Sequence, residues 1–152
     1  MKKILFICHG NICRSPMAEF MFKKKIKDRG LEDSFLIRSA ATSTEEIGNP
    51  VYPSARAELA IHGISCEGKT ACQVTKYDGD YYDYLICMDH YNVSNLKRMM
   101  KKHVEPKIFL LMEFIGSAKD VADPWYTNDF KETWDDIDAG LDGFLIYLGV
   151  KE

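Results

Sequence analysis

The chain has 152 residues, of which 46% are hydrophobic and 28% are charged, so it can form one globular domain with a sizeable core. Its formal net charge of −3 lacks the strong basic excess of a general nucleic-acid binder, and no apolar stretch approaches the ~18 residues of a membrane span. We therefore expect a cytoplasmic protein with neither nucleic acid nor a membrane as a partner.

Short apolar runs that are rich in branched or aromatic residues predict buried strands, and apolar residues at helical spacing predict helices between them. In chain order the predicted elements are strand 4–7, helix 17–26, strand 35–38, helix 53–62, strand 84–87, helix 91–100, strand 107–111 and helix 130–148. This alternation predicts an α/β fold. We expect a single doubly wound domain, a four-stranded parallel sheet with helices on both faces.

Sheets of this kind bind ligands outside the carboxyl ends of their strands. At those ends the sequence places Cys8, Ser39, Asp89 and the loop after Met112. The polar stretch 42–50 is a long loop and is a further candidate for function, because binding residues concentrate on such loops.

The first turn carries the strongest chemical signal. Strand 4–7 leads into residues 8–16, Cys-His-Gly-Asn-Ile-Cys-Arg-Ser-Pro, and a helix follows. We expect Ser15 to be the N-cap and Pro16 the first helical residue. Gly10 allows a close backbone approach, and Asn11 tolerates a left-handed conformation. A tight loop that ends on a helix N-terminus predicts a phosphate site.

A nucleophile and a cation stand at the two ends of this loop. The field that binds the anion favours the thiolate of Cys8, and the thiolate is the nucleophilic form. Arg14 can hold two phosphoryl oxygens and stabilise the charge of the transition state. The pattern Cys-x5-Arg is weak alone, but its position between a strand and a helix predicts phosphoryl transfer to sulfur.

The remaining cysteines and the histidines give no metal signature. An odd count of five cysteines does not indicate a disulfide scaffold, and the chain has neither a Cys-x-x-Cys nor a His-x-x-x-His pattern. We therefore expect no structural zinc site and no other metal.

The run Cys-x-Gly-Asn-x-Cys-Arg-Ser-Pro closely resembles the signature of the low-molecular-weight protein tyrosine phosphatases. The resemblance extends over nearly the whole chain, 1–152, as one domain of that family. The matching segments are 39–42, 46–50, 62–64, 87–89 and the Asp-Pro-aromatic-aromatic run 123–126. It implies hydrolysis of phosphotyrosine through a phosphocysteine intermediate, without a metal or organic cofactor. We expect a monomer that acts on a phosphotyrosine-containing protein or a small aryl phosphate.

The resemblance also assigns roles to residues. Asp123 becomes the general acid and base, although Asp120 and Asp129 are rivals by spacing alone. Ser15 supports the thiolate as a leaving group, and Asn11, Ser39 and His62 hold the loop. His9, Gly10, Ile12 and Cys13 complete the phosphate-binding loop. The expected substrate pocket consists of Ile12, Glu46, Asn49, Trp125 and Tyr126.

Two positions refine this expectation. Position 12 is threonine in the related protein arginine phosphatases, so Ile12 favours phosphotyrosine. Many family members have an aromatic residue where this chain has Glu45, which predicts an acidic rim and weaker binding of acidic phosphopeptides.

Cys13 lies five residues after Cys8 in the same tight loop. A disulfide between them is geometrically plausible and would protect Cys8 reversibly.

Three alternative functions stay open at this stage. Arsenate reduction uses the same fold and loop, and it would need a relay among Cys66, Cys72 and Cys87. A non-catalytic phosphotyrosine-binding module should have lost Cys8, Arg14 or Asp123, all of which are present. A purely structural domain leaves the chemistry of the loop unexplained.

Overall fold

The computed structural model describes residues 1–150 and contains four parallel strands in the order β2-β1-β3-β4. The strands are β1 (Lys2–Cys8), β2 (Phe35–Ala41), β3 (Tyr84–Cys87) and β4 (Ile108–Leu110). In the register of the sheet, Phe6 of β1 lies opposite Ser39 of β2 and Ile86 of β3. The predicted parallel four-stranded sheet is confirmed.

The described part of the chain forms six α-helices. They are α1 (Arg14–Asp28), α2 (Pro53–Ile61), α3 (Lys76–Tyr81), α4 (His90–Met99), α5 (Pro124–Thr127) and α6 (Phe130–Tyr147). Three 3₁₀ turns, Glu32–Ser34, Lys102–Lys107 and Leu111–Ile115, complete the elements. The predicted helices correspond to α1, α2, α4 and α6, whereas α3 and α5 were not predicted.

The two faces of the sheet have separate cores. Alternate residues of β1 point to opposite faces, so Ile4 and Phe6 belong to one core and Leu5 and Ile7 to the other. Helices α1, α2 and α6 contribute to the first core, and α4 to the second. Helices therefore cover both faces, as the doubly wound prediction requires.

The strand order determines where a ligand can bind. The chain passes from β1 to β2 on one side and then crosses to β3 on the other side of β1. The loops after β1 and β3 therefore diverge and leave a crevice at the carboxyl edge of the sheet. Cys8 ends β1, and Asp89 follows β3 by two residues.

The start of α1 differs from the prediction. The helix begins at Arg14 with Cys13 at the N-cap position, so the assignments of Ser15 as N-cap and Pro16 as first helical residue are wrong. Ser15 lies inside the first turn, where its hydroxyl contacts Cys8 instead of capping the helix. Pro16 is still in the first turn, where its missing N–H removes no intrahelical hydrogen bond. The predicted end of the domain at residue 152 lies outside the described residues.

Residues 1–150 lack both a membrane-crossing helix and a cluster of metal-binding side chains. In that range no helix is both long enough and apolar enough to cross a membrane. The same residues contain no group of three or more histidine, cysteine or acidic side chains placed to share a metal ion.

Candidate active site

A cleft of about 840 Å³ opens at the carboxyl edge of the sheet, over the end of β1. Its floor is the loop 8–14, which includes every predicted phosphate-loop residue except Ser15. Its walls come from Glu45 and Glu46 after β2, from the start of α4, and from the segment 120–126. Residues far apart in the sequence therefore meet at the crevice that the topology predicts.

The loop is held from outside by hydrogen bonds to its carbonyl groups. The carbonyl oxygens of Cys8, His9 and Ile12 accept backbone N–H groups of Thr42, Ser43 and Tyr52, at 3.0, 3.1 and 2.9 Å respectively. Asn11 has a φ of 60°, so the predicted left-handed conformation is confirmed. This turn directs the Asn11 N–H toward the Cys8 sulfur, 3.3 Å away.

The Cys8 sulfur lies among groups that favour a negative charge. The side chain is only 4% exposed, and its Sγ lies 2.9 Å from Ser15 Oγ. The N-terminus of the 15-residue helix α1 starts beside the same loop, so its free N–H groups add a partial positive charge. The sulfur therefore lies where hydrogen-bond donors and a helix N-terminus converge, a setting typical of reactive cysteines.

A chain of buried hydrogen bonds supports Ser15 from behind. Asn11 Nδ2 donates to Ser15 Oγ at 2.8 Å and to Ser39 Oγ at 3.0 Å, and Ser39 Oγ donates to Glu19 Oε1 at 2.5 Å. Since the amide of Asn11 can only donate through Nδ2, the lone pairs of Ser15 are engaged from that side. The Ser15 hydroxyl proton is then available to Cys8.

Glu19 is the charged end of this chain of hydrogen bonds. Its carboxylate belongs to α1 and is 2% exposed, and it accepts Lys23 Nζ at 2.5 Å. Lys69 Nζ lies 3.9 Å from Glu19 and donates to the carbonyl of Ser39 at 3.0 Å. Two cations therefore compensate one buried carboxylate, as a buried charge requires.

Arg14 is held by three acceptors around its guanidinium. Nη2 donates to Asp89 Oδ2 at 2.8 Å and to Asp123 Oδ2 at 3.4 Å, and Nη1 donates to the carbonyl of Val121 at 3.2 Å. Burial opposes the charged form, but the negative charges of Cys8, Asp89 and Asp123 outweigh it and raise the pKa of Arg14. The guanidinium is therefore a fixed cation at the end of the loop that begins with Cys8.

Asp89 is itself fixed by the helix that it caps. Its Oδ1 accepts the N–H of Asn92 at 2.8 Å, and Asn92 Oδ1 accepts the N–H groups of Asp89 and Met88, both at 3.1 Å. This capping box leaves the second carboxylate oxygen of Asp89 for Arg14.

Asp123 stands at the N-cap of the short helix α5. Its Oδ1 accepts the N–H of Trp125 at 3.0 Å, and its side chain is 33% exposed. The loop before Asp123 is tied to α6 through Ala122. Thr133 donates a hydrogen bond to the Ala122 carbonyl at 2.8 Å, and Asp136 accepts one from the Ala122 N–H at 2.9 Å. This anchoring holds the carboxylate beside Arg14.

The two rival acids have other partners. Asp120 lies 2.6 Å from His90 Nδ1 and accepts the backbone N–H of His90. Asp129 caps α6 by accepting the N–H of Glu132 at 2.9 Å. Asp120 lines the cleft, but only Asp123 contacts Arg14.

The predicted pocket residues divide into two groups. Ile12, Glu46, Trp125 and Tyr126 line the cleft, and the two aromatic side chains are largely exposed at its mouth. Asn49 is not among the lining residues. The Asn49 amide donates a hydrogen bond to the Glu46 carboxylate at 2.6 Å and so holds Glu46 in place.

His62 requires a correction. The expectation was that it supports the loop, but it follows the end of α2 and lies 3.2 Å from Glu58. Its ring stacks on Trp134 of α6, with centroids 3.6 Å apart. Among the described residues no hydrogen bond links His62 to the loop, and the polar groups found behind Ser39 are Glu19 and Lys69.

Asp89, Glu19 and Lys69 contact the site but were given no role in it by the sequence. Asp89 had a usable signal, because it follows the third strand at the carboxyl edge of the sheet. Glu19 had only a weak signal, a charge between Ala18 and Phe20 near the apolar face of a helix. Lys69 had none, since its contact with Ser39 spans 30 residues.

All five cysteines are free thiols. Cys13 is 8% exposed, and burial, followed by the charge of Cys8, raises its pKa to about 12. Cys66 and Cys87 are buried, and Cys72 is exposed. Burial also raises the pKa of Cys66 and of Cys87, which keeps both as thiols at neutral pH.

Comparison with known proteins agrees with this geometry. The sequence model of the family described as low molecular weight phosphotyrosine protein phosphatase matches residues 3–152. The Gallus gallus low molecular weight phosphotyrosine protein phosphatase is 42% identical over 150 residues, covering 95% of this chain and 94% of the relative.

Solved structures show the same relationship. The crystal structure of YfkJ from Bacillus subtilis superposes with a TM-score of 0.91 at 36% identity, covering 98% of this chain and 95% of that one. The low molecular weight protein tyrosine phosphatase SP-PTP from Streptococcus pyogenes gives a TM-score of 0.88 at 42% identity, covering 97% and 93%. The chain belongs to the low molecular weight phosphotyrosine protein phosphatase family, a family of enzymes.

Proposed function

We propose that this protein hydrolyses phosphotyrosine monoesters through a phosphocysteine intermediate, with Cys8 as nucleophile, Arg14 as phosphate clamp and Asp123 as general acid and base. One observation carries the proposal. A buried guanidinium, fixed by Asp89 at 2.8 Å, lies in the same cleft as a cysteine whose sulfur receives hydrogen bonds at a helix N-terminus. In this arrangement the guanidinium can bind the phosphoryl oxygens, and the sulfur can attack phosphorus.

In the first step, the loop N–H groups and Arg14 bind the non-bridging oxygens of the phosphate. The Cys8 thiolate attacks phosphorus in line with the ester oxygen, and the bond between phosphorus and that oxygen breaks. Asp123 donates its proton to the departing phenolate oxygen. The products of this step are a phenol and a phosphocysteine.

In the second step, water replaces the phenol in the cleft. The Asp123 carboxylate removes a proton from the water as it attacks phosphorus, and the sulfur leaves as a thiolate. The Ser15 hydroxyl, 2.9 Å from the sulfur, stabilises the charge that returns to Cys8. Inorganic phosphate then dissociates, and the enzyme is restored without any external redox partner.

The mouth of the cleft supports an aromatic substrate. Trp125 is 61% exposed and packs edge-on against Tyr52, with ring centroids 5.3 Å apart. Tyr126 stands beside it, and Ile12 offers an apolar surface on the loop. A slot with aromatic and aliphatic walls fits a phenyl ring above the phosphate, in either a phosphotyrosine protein or a small aryl phosphate.

Initial rates of phosphate release test the proposal. The assay contains a phosphotyrosine peptide, a chelator and a reductant at mildly acidic pH, with phosphoserine and phosphoarginine peptides in parallel. We expect release from phosphotyrosine alone, and none from a Cys8→Ser variant. Asp135→Asn, a change at an exposed position of α6, is the matched control and retains the activity. If none of the three peptides releases phosphate, the proposal is refuted.

One further measurement distinguishes phosphatase activity from arsenate reduction. A thiol relay needs cysteines that approach Cys8 in turn, whereas Cys66 and Cys87 are buried in opposite cores of the sheet. We expect no arsenate-dependent oxidation of thioredoxin, and such oxidation would move the reductase to first place.

We also propose that Cys13 makes the active site redox-sensitive. Peroxide converts the Cys8 thiolate to a sulfenic acid, and the Cys13 thiol displaces water to form the Cys8–Cys13 disulfide. Mass spectrometry after mild peroxide treatment should detect this linkage. A Cys13→Ser variant should lose recoverable activity faster, and equal recovery in both proteins would contradict the role of Cys13.

The same proposal includes the domain, oligomeric state, location and partners of the enzyme. Residues 1–152 act as one phosphatase domain, monomeric and cytoplasmic, with neither nucleic acid nor a membrane as a partner. Free thiols at all five cysteines are consistent with a reducing compartment. Light scattering from the purified protein tests the monomer, and cell fractionation tests the location.

A further inference from the structure

The mouth of the cleft carries an excess of carboxylates that the chemistry of the reaction does not use. We define the acidic rim as Glu45, Glu46 and Asp120, all of which line the cleft. The side chains of Glu45 and Asp120 are 68% and 43% exposed, so both face solvent where a substrate enters.

The topology distributes the rim around the nucleophile. Glu45 and Glu46 follow β2, and Asp120 follows β4, the two edge strands of the sheet. The loop after β1 lies between those edges, so the carboxylates approach the bound phosphate from both sides. The polypeptide on either side of a seated phosphotyrosine therefore meets negative charge.

The histidines near the acidic rim do not cancel its negative charge. His9 lies 3.0 Å from Glu45 and His90 lies 2.6 Å from Asp120, but no imidazole pairs with Glu46, whose contact is the neutral amide of Asn49. Even with both imidazoles protonated, the described rim keeps one uncompensated carboxylate.

Apart from Arg14, no described lysine or arginine lines the cleft, although Arg98 donates to Asn95, which does. Arg14 lies buried on the floor where the phosphate binds. Lys119 is bonded to Asp136 at 3.0 Å.

We propose that the acidic rim selects phosphotyrosine segments with lysine or arginine next to the phosphotyrosine, and rejects segments with acidic neighbours. The inference rests on the proposed phosphatase function and names its substrate class. Residues one or two positions from the phosphotyrosine lie within about 7 Å of it, inside the Debye length of about 8 Å at physiological salt. Basic neighbours there are attracted to the rim, and acidic neighbours are repelled.

Matched peptides test the selection. Three phosphotyrosine peptides of equal length carry lysine, alanine or glutamate on both sides of the phosphotyrosine, and kcat/KM is measured for each at low salt. We expect kcat/KM for the basic peptide to exceed kcat/KM for the acidic peptide by about fivefold or more, since two or three exposed charge pairs each contribute modestly. Added salt should bring the ratio toward one.

Two charge-reversal variants assign the effect to the rim. Glu45→Lys should reduce or invert the ratio between the basic and acidic peptides. Glu67→Lys makes the same change at an exposed position outside the cleft, and should preserve both the ratio and the rate with a small aryl phosphate. Since each ratio is measured within one variant, a general loss of activity in Glu45→Lys does not affect it.

The outcomes separate this inference from the function on which it rests. Hydrolysis of all three peptides at equal rates, or an unchanged ratio in Glu45→Lys, would overturn the selection but leave the phosphatase in place. Failure to hydrolyse every peptide and the aryl phosphate would overturn the phosphatase, and the selection with it.

Discussion

At the scale of single residues, the site depends on carboxylates that hold other side chains of the site in place. Asp89 fixes the Arg14 guanidinium at 2.8 Å. Glu19 ends the hydrogen-bond chain that reaches the Cys8 sulfur through Ser39, Asn11 and Ser15. Both are buried, so each acts at short range in a medium that screens charge weakly. Their removal should alter the reaction without altering the nucleophile.

The first prediction concerns Asp89. Asparagine is as good an N-cap as aspartate, so Asp89→Asn should keep α4 while removing the charge that holds Arg14. A charged hydrogen bond contributes about 1.5–3 kcal/mol, so we expect kcat/KM with an aryl phosphate to fall about ten- to a hundredfold. Circular dichroism melting checks that the fold persists. An unchanged kcat/KM would show that Arg14 needs no such anchor.

The second prediction concerns the pair of Glu19 and Lys69. Glu19→Gln leaves Lys23 and Lys69 without their buried anion, so we expect the free energy of unfolding to fall by about 3 kcal/mol. We expect activity to fall as well, because the charged acceptor of Ser39 becomes a neutral one. Adding Lys69→Met should restore part of the stability but not the activity. Urea unfolding and initial rates measure both.

A simple additive loss in the double variant would contradict the coupling between Glu19 and Lys69. Lys24→Met is the matched control, because Lys24 belongs to the same helix but pairs with the exposed Asp28. Exposed pairs of this kind contribute about 0–1 kcal/mol, so this control should change little.

At the scale of elements, α6 determines the position of Asp123, the proposed general acid. The helix packs on the 3₁₀ turn Leu111–Ile115, and two glycines allow the close approach. A Cβ at Gly143 would lie 2.6 Å from the carbonyl oxygen of Phe114, and a Cβ at Gly140 would lie 2.7 Å from Leu111 Cγ. The contact at Gly143 involves backbone, which cannot move aside as a flexible side chain can.

The third prediction follows from this contact. Gly143→Ala should lower the free energy of unfolding by about 1–3 kcal/mol, although alanine is the better helix former by about 1 kcal/mol. Asp135→Ala on the exposed face of α6 is the control and should be near neutral. Urea denaturation measures both variants, and a stabilised Gly143→Ala would show that the helix can move away from the turn.

The sequence predicted the regular elements better than the short ones. The four strands and four longer helices have strong apolar patterns, and all their observed ends lie within three residues of the predicted ones. Helix α3 has six residues and depends on a capping box between Thr75 and Asp78, and α5 has four residues after Asp123. Such helices carry too few residues for a periodic signal.

The site divides in the same way. The loop residues could be predicted because they are contiguous, and their local geometry, including the left-handed Asn11, is encoded by residue type. Contacts such as Arg14 with Asp89, 75 residues apart, arise only from the packing of the sheet. Ser15 was misplaced as an N-cap because its preference for that position is statistical, and the nearby sulfur and amide provide it with better partners.

At the scale of the whole molecule, several buried acids remain protonated in the folded state. Burial, with smaller contributions from the nearby charges of Cys8 and Asp78, raises the pKa values of Cys13 and Tyr82 to about 12, and burial also raises that of Cys87. In the unfolded chain these groups would titrate near their ordinary values of about 8.5 to 10. The folded state therefore binds more protons at alkaline pH.

The fourth prediction is a loss of stability at high pH. The unfolded state loses these protons first, so the free energy of unfolding falls as the pH rises from about 9 toward 12 and is fully retained below about 8. Melting temperatures at pH 7 to 10.5 measure this decline. A Cys13→Ala/Tyr82→Phe variant should decline less steeply, and a flat profile in the natural protein would contradict the assignment.

The anchoring of the Asp123 loop to α6 has a consequence for biosynthesis. The nucleophile loop leaves the ribosome early, but the acid loop is fixed by Thr133 and Asp136 and follows more than a hundred residues later. Since domains emerge from the N-terminus at about 5–20 residues per second, a growing chain carries its nucleophile for several seconds before the acid can be positioned. We therefore expect phosphatase activity to begin only after Thr133 and Asp136 of α6 have been synthesised.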